Sequence, residues 1–226
     1  MPSTTVEARE ELRQLLERGV SLDFIPQGPS SRLPVRRSAV LILFGALDRV
    51  LAESAATTVP PELDVLLMRR SNKLRHHAGQ ISFPGGGVEP QDDSRIATAL
   101  REAHEETGLD PAGVEILGTL PEVNVAVSNN LVTPVVGWWT KPTTVEADKS
   151  ESVEVFRAPV AELLDPAARG MSVVTRGNTS FRGKAFVLQE QGHVVWGFTG
   201  IMLANIFEQV GWELPWDTSR EIPVSA

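Results

Sequence analysis

The chain predicts an α/β fold, a mixed sheet between helices. Three observations carry that prediction. Apolar runs of strand length recur along 226 residues, and few helical stretches interleave them. The best marked of those stretches, residues 93–107, shows one apolar stripe that needs a second layer to cover it. At this length a single domain with a sizeable core is expected, carrying at most small appendages.

The elements follow in chain order. Residues 4–18 place Val6, Leu12, Leu15 and Leu16 on a weak helical stripe. Residues 19–37 contain Pro26, Gly28, Pro29 and Pro34 and read as irregular, so 1–35 is an N-terminal helix and irregular appendage. The apolar run 38–44 reads as a buried strand. Residues 51–62, with Ser54 and Pro60-Pro61, read as a surface loop. A strand is expected at 63–68, and a short one at 80–83 ahead of a glycine turn. In the helix at 93–107, Asp92 or Asp93 caps the start, and Ile96, Ala99, Leu100 and Ala103 form the buried stripe. Gly108, with Pro111 behind it, ends that helix.

Strands are then expected near 114–120 and 131–139, with Trp138-Trp139 closing the second, and a short strand at 153–156. A helical turn at 160–164 stops at Pro166. Residues 185–188 and 194–196 flank Glu190-Gln191-Gly192 as a hairpin. A last helix, 201–210, is closed by Gly211 and Pro215. The main domain therefore runs 36–215, and 216–226 is a C-terminal tail.

Composition narrows the function. Hydrophobic residues make up 42% and charged residues 22%, ordinary for a soluble globule. No run of about 18 apolar residues suggests a membrane span. The start lacks a signal-peptide core, and the end matches no lipidation or peroxisomal address. The absence of cysteine excludes disulfides and thiolate metal sites and suits a cytoplasmic setting. Net charge is −8, with 21 Lys and Arg against 29 Asp and Glu, which argues against a nucleic-acid backbone reader. A phosphate-bearing small molecule is compatible with that charge if metal and a few arginines meet it locally. A homodimer is also compatible. There is no P-loop and no dinucleotide fingerprint.

One place breaks two local rules at once. Glu102, Glu105 and Glu106 are spaced i, i+3, i+4, so three like charges converge on one helix. They also lie in its last turns, at the negative end of the helix dipole. A divalent cation is the simplest compensation, and an all-oxygen donor set suits Mg²⁺ or Mn²⁺. Arg101, four residues before Glu105, is placed to pair with it and fix its orientation. The plain alternative is a solvated acidic face.

The residues around this cluster resemble a known signature, the Nudix box, GX5EX7REUXEEXGU with U apolar. Residues 101–109, REAHEETGL, match its second half at every fixed position. Strict spacing puts Gly87 and Asp93 at the earlier Gly and Glu positions, so Asp stands where Glu is expected. Immediately upstream, residues 66–86 read LLMRRSNKLRHHAGQISFPGG. That stretch resembles LLTXRSX3RX3GX3FPGG, the mark of the coenzyme A pyrophosphatase branch. Arg70, Ser71, Arg75, Gly79, Phe83, Pro84, Gly85 and Gly86 match, and Met68 replaces Thr. His77, Gln80 and the TALREA segment also look like that branch, and further echoes extend the resemblance over most of 36–210.

The resemblance implies the Nudix α/β/α sandwich and metal-dependent cleavage of the diphosphate of coenzyme A or acyl-CoA. The products would be 3′,5′-ADP and 4′-phosphopantetheine or its acyl form. It implies Glu102, Glu105 and Glu106 as ligands to Mg²⁺ or Mn²⁺, with Arg101 orienting them. It implies Arg70 and Arg75 as phosphate clamps, His77 as a substrate contact or a brace, and Gly86 and Gly87 as close approach points. The general base is one of the box glutamates or Glu151 or Glu154. Trp138, Trp139, Trp196 and Phe198 are open between stacking on adenine and packing, and His104 is expected in solvent. The rivals are another nucleoside diphosphate compound, such as ADP-ribose, NADH or a dNTP, and a Nudix-fold binding module without turnover.

Overall fold

Strand β1 (Arg36–Gly45) is the organising element. Its side chains alternate between two cores, as a strand buried on both faces requires. Ala39, Leu41 and Leu43 face one side, and Ile42 and Phe44 face the other. In this computed structural model, residues 4–22, 35–46, 52, 58–72, 77–125, 128–148, 152–176, 179–189 and 191–224 are described.

Along one edge β1 pairs in parallel with β7 (Asn130–Trp139), from Arg36 opposite Asn130 to Phe44 opposite Trp138. Along the other it pairs antiparallel with β2 (Asp64–Arg70), only at Phe44–Gly45. Beyond that point the strands part and one inserted segment fills the gap. Its first half, β3 (Ile81–Ser82), pairs with β2, and its second, β4 (Gly85–Gly87), pairs with β1 opposite Ser38, Ala39 and Val40. The far edge of β7 carries β5 (Val114–Thr119) and β6 (Val123–Val125). The far edge of β2 carries β8 (Ser152–Pro159). One parallel pair within an otherwise antiparallel sheet makes it mixed, as the sequence predicts.

Helix α2 (Arg95–Thr107) covers one face, packing Ala99 and Ala103 on Ala39, Leu41, Val135 and Trp139. On the other face lie α1 (Thr5–Arg18), the short α3 (Val160–Leu164) and α4 (Gly197–Val210). With them packs a second sheet, ordered β11 (His193–Val195), β10 (Thr179–Leu188), β9 (Arg169–Arg176) and β12 (Glu221–Pro223). None of the described helices is long and apolar enough to cross a membrane.

Several expectations need correction. Helix α2 is capped by Ser94, whose side chain accepts from Ala97 N–H, and not by Asp92 or Asp93. Its stripe centres on Thr98, Ala99 and Ala103, while Ile96 and Leu100 are half-buried, because the helix also leans on the glycine strand. In α1 Val6 is 74% exposed and Ala8 takes its place beside Leu12 and Leu15. That face, capped by a Thr4–Glu7 box, packs into the main core. Val59 and Pro60, in the stretch expected as surface loop, are buried; most of 47–57 and Glu190 of the hairpin turn lie outside the described residues. Strands β6, β9 and β12 had no sequence expectation; β12 lies in the stretch expected as a tail.

Candidate active site

The carboxylates of α2 are set by the strand they lean on. Gly85 φ is +157°, and a Cβ there would strike the backbone of Ala39 and Val40, so only glycine allows β4 this close to β1. Gly85 N–H donates to Glu106 Oε2 at 2.8 Å. A Cβ on Gly86 would collide with the Glu102 carboxyl group, so Glu102 lies directly on that residue's backbone. Gly87 carbonyl accepts from Arg101 Nη2 at 2.8 Å. Three consecutive glycines thus each meet one member of the 101–106 cluster.

Arg101 is the hub. Its Nη1 lies 3.0 Å from Glu102 and 3.2 Å from Glu105, the i,i+4 pair the spacing predicts. Its Nε and Nη2 bind Asp92 at 2.9 and 3.0 Å. Asp92 also accepts from Glu89 N–H and from Thr98 Oγ1, each at 2.9 Å. The Arg101 hydrogen bonds, with those from Glu89 and Thr98, hold the Asp92 carboxyl well below the usual carboxylate range. The same pair holds the Arg101 guanidinium above its ordinary value. Asp93, at the box position, is exposed, and the acid that meets Arg101 is one residue earlier. Spacing alone missed Asp92; the signal was the second acid of the pair.

The three glutamates are not equivalent. Glu106 is 4% exposed, Glu102 half-buried, and the side chain of Glu105 57% exposed. Glu106 is thus packed rather than part of a solvated acidic face, and Gly85 anchors it. As the side chains stand, no three Asp, Glu or His among the described residues converge on one point. Arg101 draws Glu102 and Glu105 to itself, while Gly85 holds Glu106. The donor set still fits a hard divalent ion: all carboxylate, on successive turns, beside a glycine backbone with no Cβ to fill the space.

On the opposite side of the glycine strand lies a cleft of about 1110 Å³. Arg70, His77, Gly86 and Gly87 line it, with Arg36, Arg37, Trp196 and Phe198. Three arginines and no carboxylate line this cleft among the described residues, in a chain of net charge −8. Arg70 Nε is shut away from solvent with no hydrogen-bond partner. An unpaired buried donor on a cation is costly unless an anion comes to it. His77 Nδ1 and Gln80 Oε1 lie 2.9 Å apart, so Gln80 braces the ring at the cleft wall. Arg75 and Glu151 lie outside the described residues. Glu154 does not line the cleft; it lies 3.2 Å from Arg69 and 2.9 Å from His193, tying the two sheets together. Trp138 and Trp139 are core residues, so only Trp196 and Phe198 of the four aromatics reach the cleft. His104 is exposed, as expected, and its Nδ1 bonds the Leu109 carbonyl at 2.8 Å.

The chain matches the family model for the NUDIX domain over residues 50–176, more than half its length. It is 37% identical over 150 residues to an uncharacterized Nudix hydrolase NudL of Photorhabdus laumondii, covering 66% of this chain and 79% of that one. The Escherichia coli protein of the same description is 36% identical over 162 residues, covering 70% and 82%. A solved Nudix hydrolase, RenU of M. smegmatis, superposes with a TM-score of 0.43 at 22% identity, over 57% of this chain and 74% of that one. With its glycine strand, Arg101 hub and three glutamates within the matched segment, the chain belongs to the Nudix hydrolase family.

Proposed function

We propose that this Nudix hydrolase cleaves the diphosphate of coenzyme A or acyl-CoA, giving 3′,5′-ADP and 4′-phosphopantetheine or its acyl form. The observation that carries this reading is the cleft, in which Arg70, with a buried unpartnered Nε, stands beside a glycine strand whose other side is sealed by carboxylates. Arg70 and His77 belong to the upstream motif that resembles the CoA branch, and Glu102, Glu105 and Glu106 belong to the box.

Nudix hydrolases use divalent metal ions, and we assign Mg²⁺ or Mn²⁺ to the three glutamates. When bound, the ion neutralises diphosphate oxygens and makes a water nucleophilic. The chain's own part is positioning. Arg70 binds a phosphate oxygen, and Gly86 and Gly87 let the diphosphate approach without a side chain between. Arg101 holds Glu102 and Glu105 ready and neutralises their repulsion. The proton lost by water passes to a glutamate of α2. Glu105, the most exposed, fits that task better than Glu154, which is engaged elsewhere.

A hydrolysis panel with Mg²⁺ or Mn²⁺ over CoA, acetyl-CoA, ADP-ribose, NADH and dNTPs tests the reading. CoA and acetyl-CoA are expected to be the preferred substrates, and EDTA is expected to abolish turnover. Preference for ADP-ribose, NADH or a dNTP would keep the chemistry and replace the substrate. No turnover of any of them would favour a binding module.

A further inference from the structure

The two-residue period of β1 puts Arg36, Ser38 and Val40 on one face, and all three line the cleft. Arg37, which alternates to the other face of β1 and reaches the cleft only at its edge, pairs with Glu122 at 3.2 Å. Arg36 is exposed, and no carboxylate among the described residues pairs with it. Ser38, two residues on, is only 8% exposed, yet its hydroxyl has no hydrogen-bond partner. Leaving a buried hydroxyl unpaired is costly, so this one marks a place for a ligand. The rim beside them adds uncharged polar groups next to the apolar Val125 and Val132. Arg36 N–H donates to the Asn129 carbonyl at 3.1 Å, Asn129 turns the chain with a φ of 53°, and Ser128, Asn129 and Asn130 form the rim.

Arg70 belongs to a different part of the same cleft. It stands on β2, and the inserted segment of β3 and β4 lies between β2 and β1. The two halves of that segment keep the Arg36 row apart from the Arg70 row where β1 and β2 diverge. One molecule with two separated phosphates can engage both rows.

The geometry points to Arg36 and Ser38 as a second anion subsite, which takes a phosphate monoester carried apart from the scissile diphosphate. On the reading of the chain as a CoA diphosphatase, on which this assignment of the ligand rests, that group is the 3′-phosphate of the ribose. The guanidinium fork supplies two donors to a dianion and the serine hydroxyl a third. The subsite gives the enzyme a means to tell CoA from substrates that share its diphosphate and adenosine but lack the monoester.

Calorimetric binding of 3′,5′-ADP and 5′-AMP to the full chain tests this without turnover. The wild type is expected to hold 3′,5′-ADP at least about 10-fold more tightly, in the range of one charge-assisted contact. Arg36→Ala is expected to erase most of that difference, Arg36→Lys to restore part of it, and Ser38→Ala to reduce it. In parallel, the ratio of kcat/KM for CoA over dephospho-CoA is expected to fall by about 10-fold or more in Arg36→Ala. Equal affinity for the two nucleotides, or a preference that survives Arg36→Ala, overturns the subsite. A preference that depends on Arg36 in a chain that does not hydrolyse CoA upholds the subsite and overturns the CoA diphosphatase reading.

Discussion

At the scale of single residues, the site is a balance between Arg101 and three carboxylates, with Glu106 held apart by Gly85. The pairing of Arg101 with Glu105 was legible because i,i+4 spacing on a helix dictates it. The pairing with Asp92 was not, because it depends on a turn that folds residues 87–94 back against α2. Glu105 is the exposed member, so Glu105→Gln is expected to lower kcat by about 10²-fold or more with little change in Tm. Glu106 is buried on Gly85 N–H, so Glu106→Ala is expected to lose activity and also about 1–3 kcal/mol of stability, read from urea unfolding. Equal stability of the two variants would mean that Glu106 is not the anchored one. Asp92 supplies a pH signature. A carboxyl depressed in the folded state stabilises the protein above the ordinary carboxylate range. That contribution is lost as pH falls through about 4 toward the depressed value. Wild-type Tm should therefore fall more steeply below about pH 4 than that of Asp92→Asn, which should already be less stable at pH 7. Parallel Tm curves would remove Asp92 from this role.

At the scale of elements, the glycine strand separates folding from chemistry. Gly85 and Gly86 are neighbours in sequence, yet a Cβ on each meets something different. On Gly85 it meets the β1 backbone, which cannot yield, at a φ that L residues rarely adopt. On Gly86 it meets the end of the flexible Glu102 side chain, which can swing aside. Gly85→Ala is thus expected to destabilise the fold by several kcal/mol, as backbone clashes of this kind do. Gly86→Ala is expected to stay folded, with Tm near wild type, and to lose about 100-fold in activity, because it displaces a carboxylate. Circular dichroism and kinetics of the pair check this; equal Tm values would contradict it. From the sequence the three glycines read as a turn with room for a diphosphate. That they form a strand wedged between β1 and β2 was not readable, since pairing partners in a sheet are set by tertiary register. Long elements with strong patterns, β1, β7 and α2, were found within a few residues. Strand β9 was missed because its residues, RGMSVVTR, alternate too weakly to stand out from loop.

At the scale of the whole molecule, the second sheet and α4 wall the cleft, while α1 packs into the main core. A buried cation helps lock β9 to the C-terminal segment. Arg169 is 1% exposed, lies between the Phe186 and Trp216 rings, and pairs with Glu213 at 3.0 Å. Burial depresses its guanidinium below the ordinary value, and Glu213 offsets that. Removing the partner with Glu213→Ala strands a buried charge and is expected to cost about 3–5 kcal/mol in urea unfolding. The family was legible from two abutting motifs because diphosphate chemistry fixes residue types at fixed helical spacing. Arg36 and Ser38 escaped notice because an arginine and a serine at a strand start carry no such pattern. The central claim is that the glycine strand and its glutamates direct water to a diphosphate phosphorus of CoA. Acetyl-CoA turned over with Mg²⁺ in ¹⁸O-water measures that most directly. The label is expected on one phosphate product, with the acetyl thioester intact on the pantetheine fragment. Free CoA with labelled acetate would contradict the account.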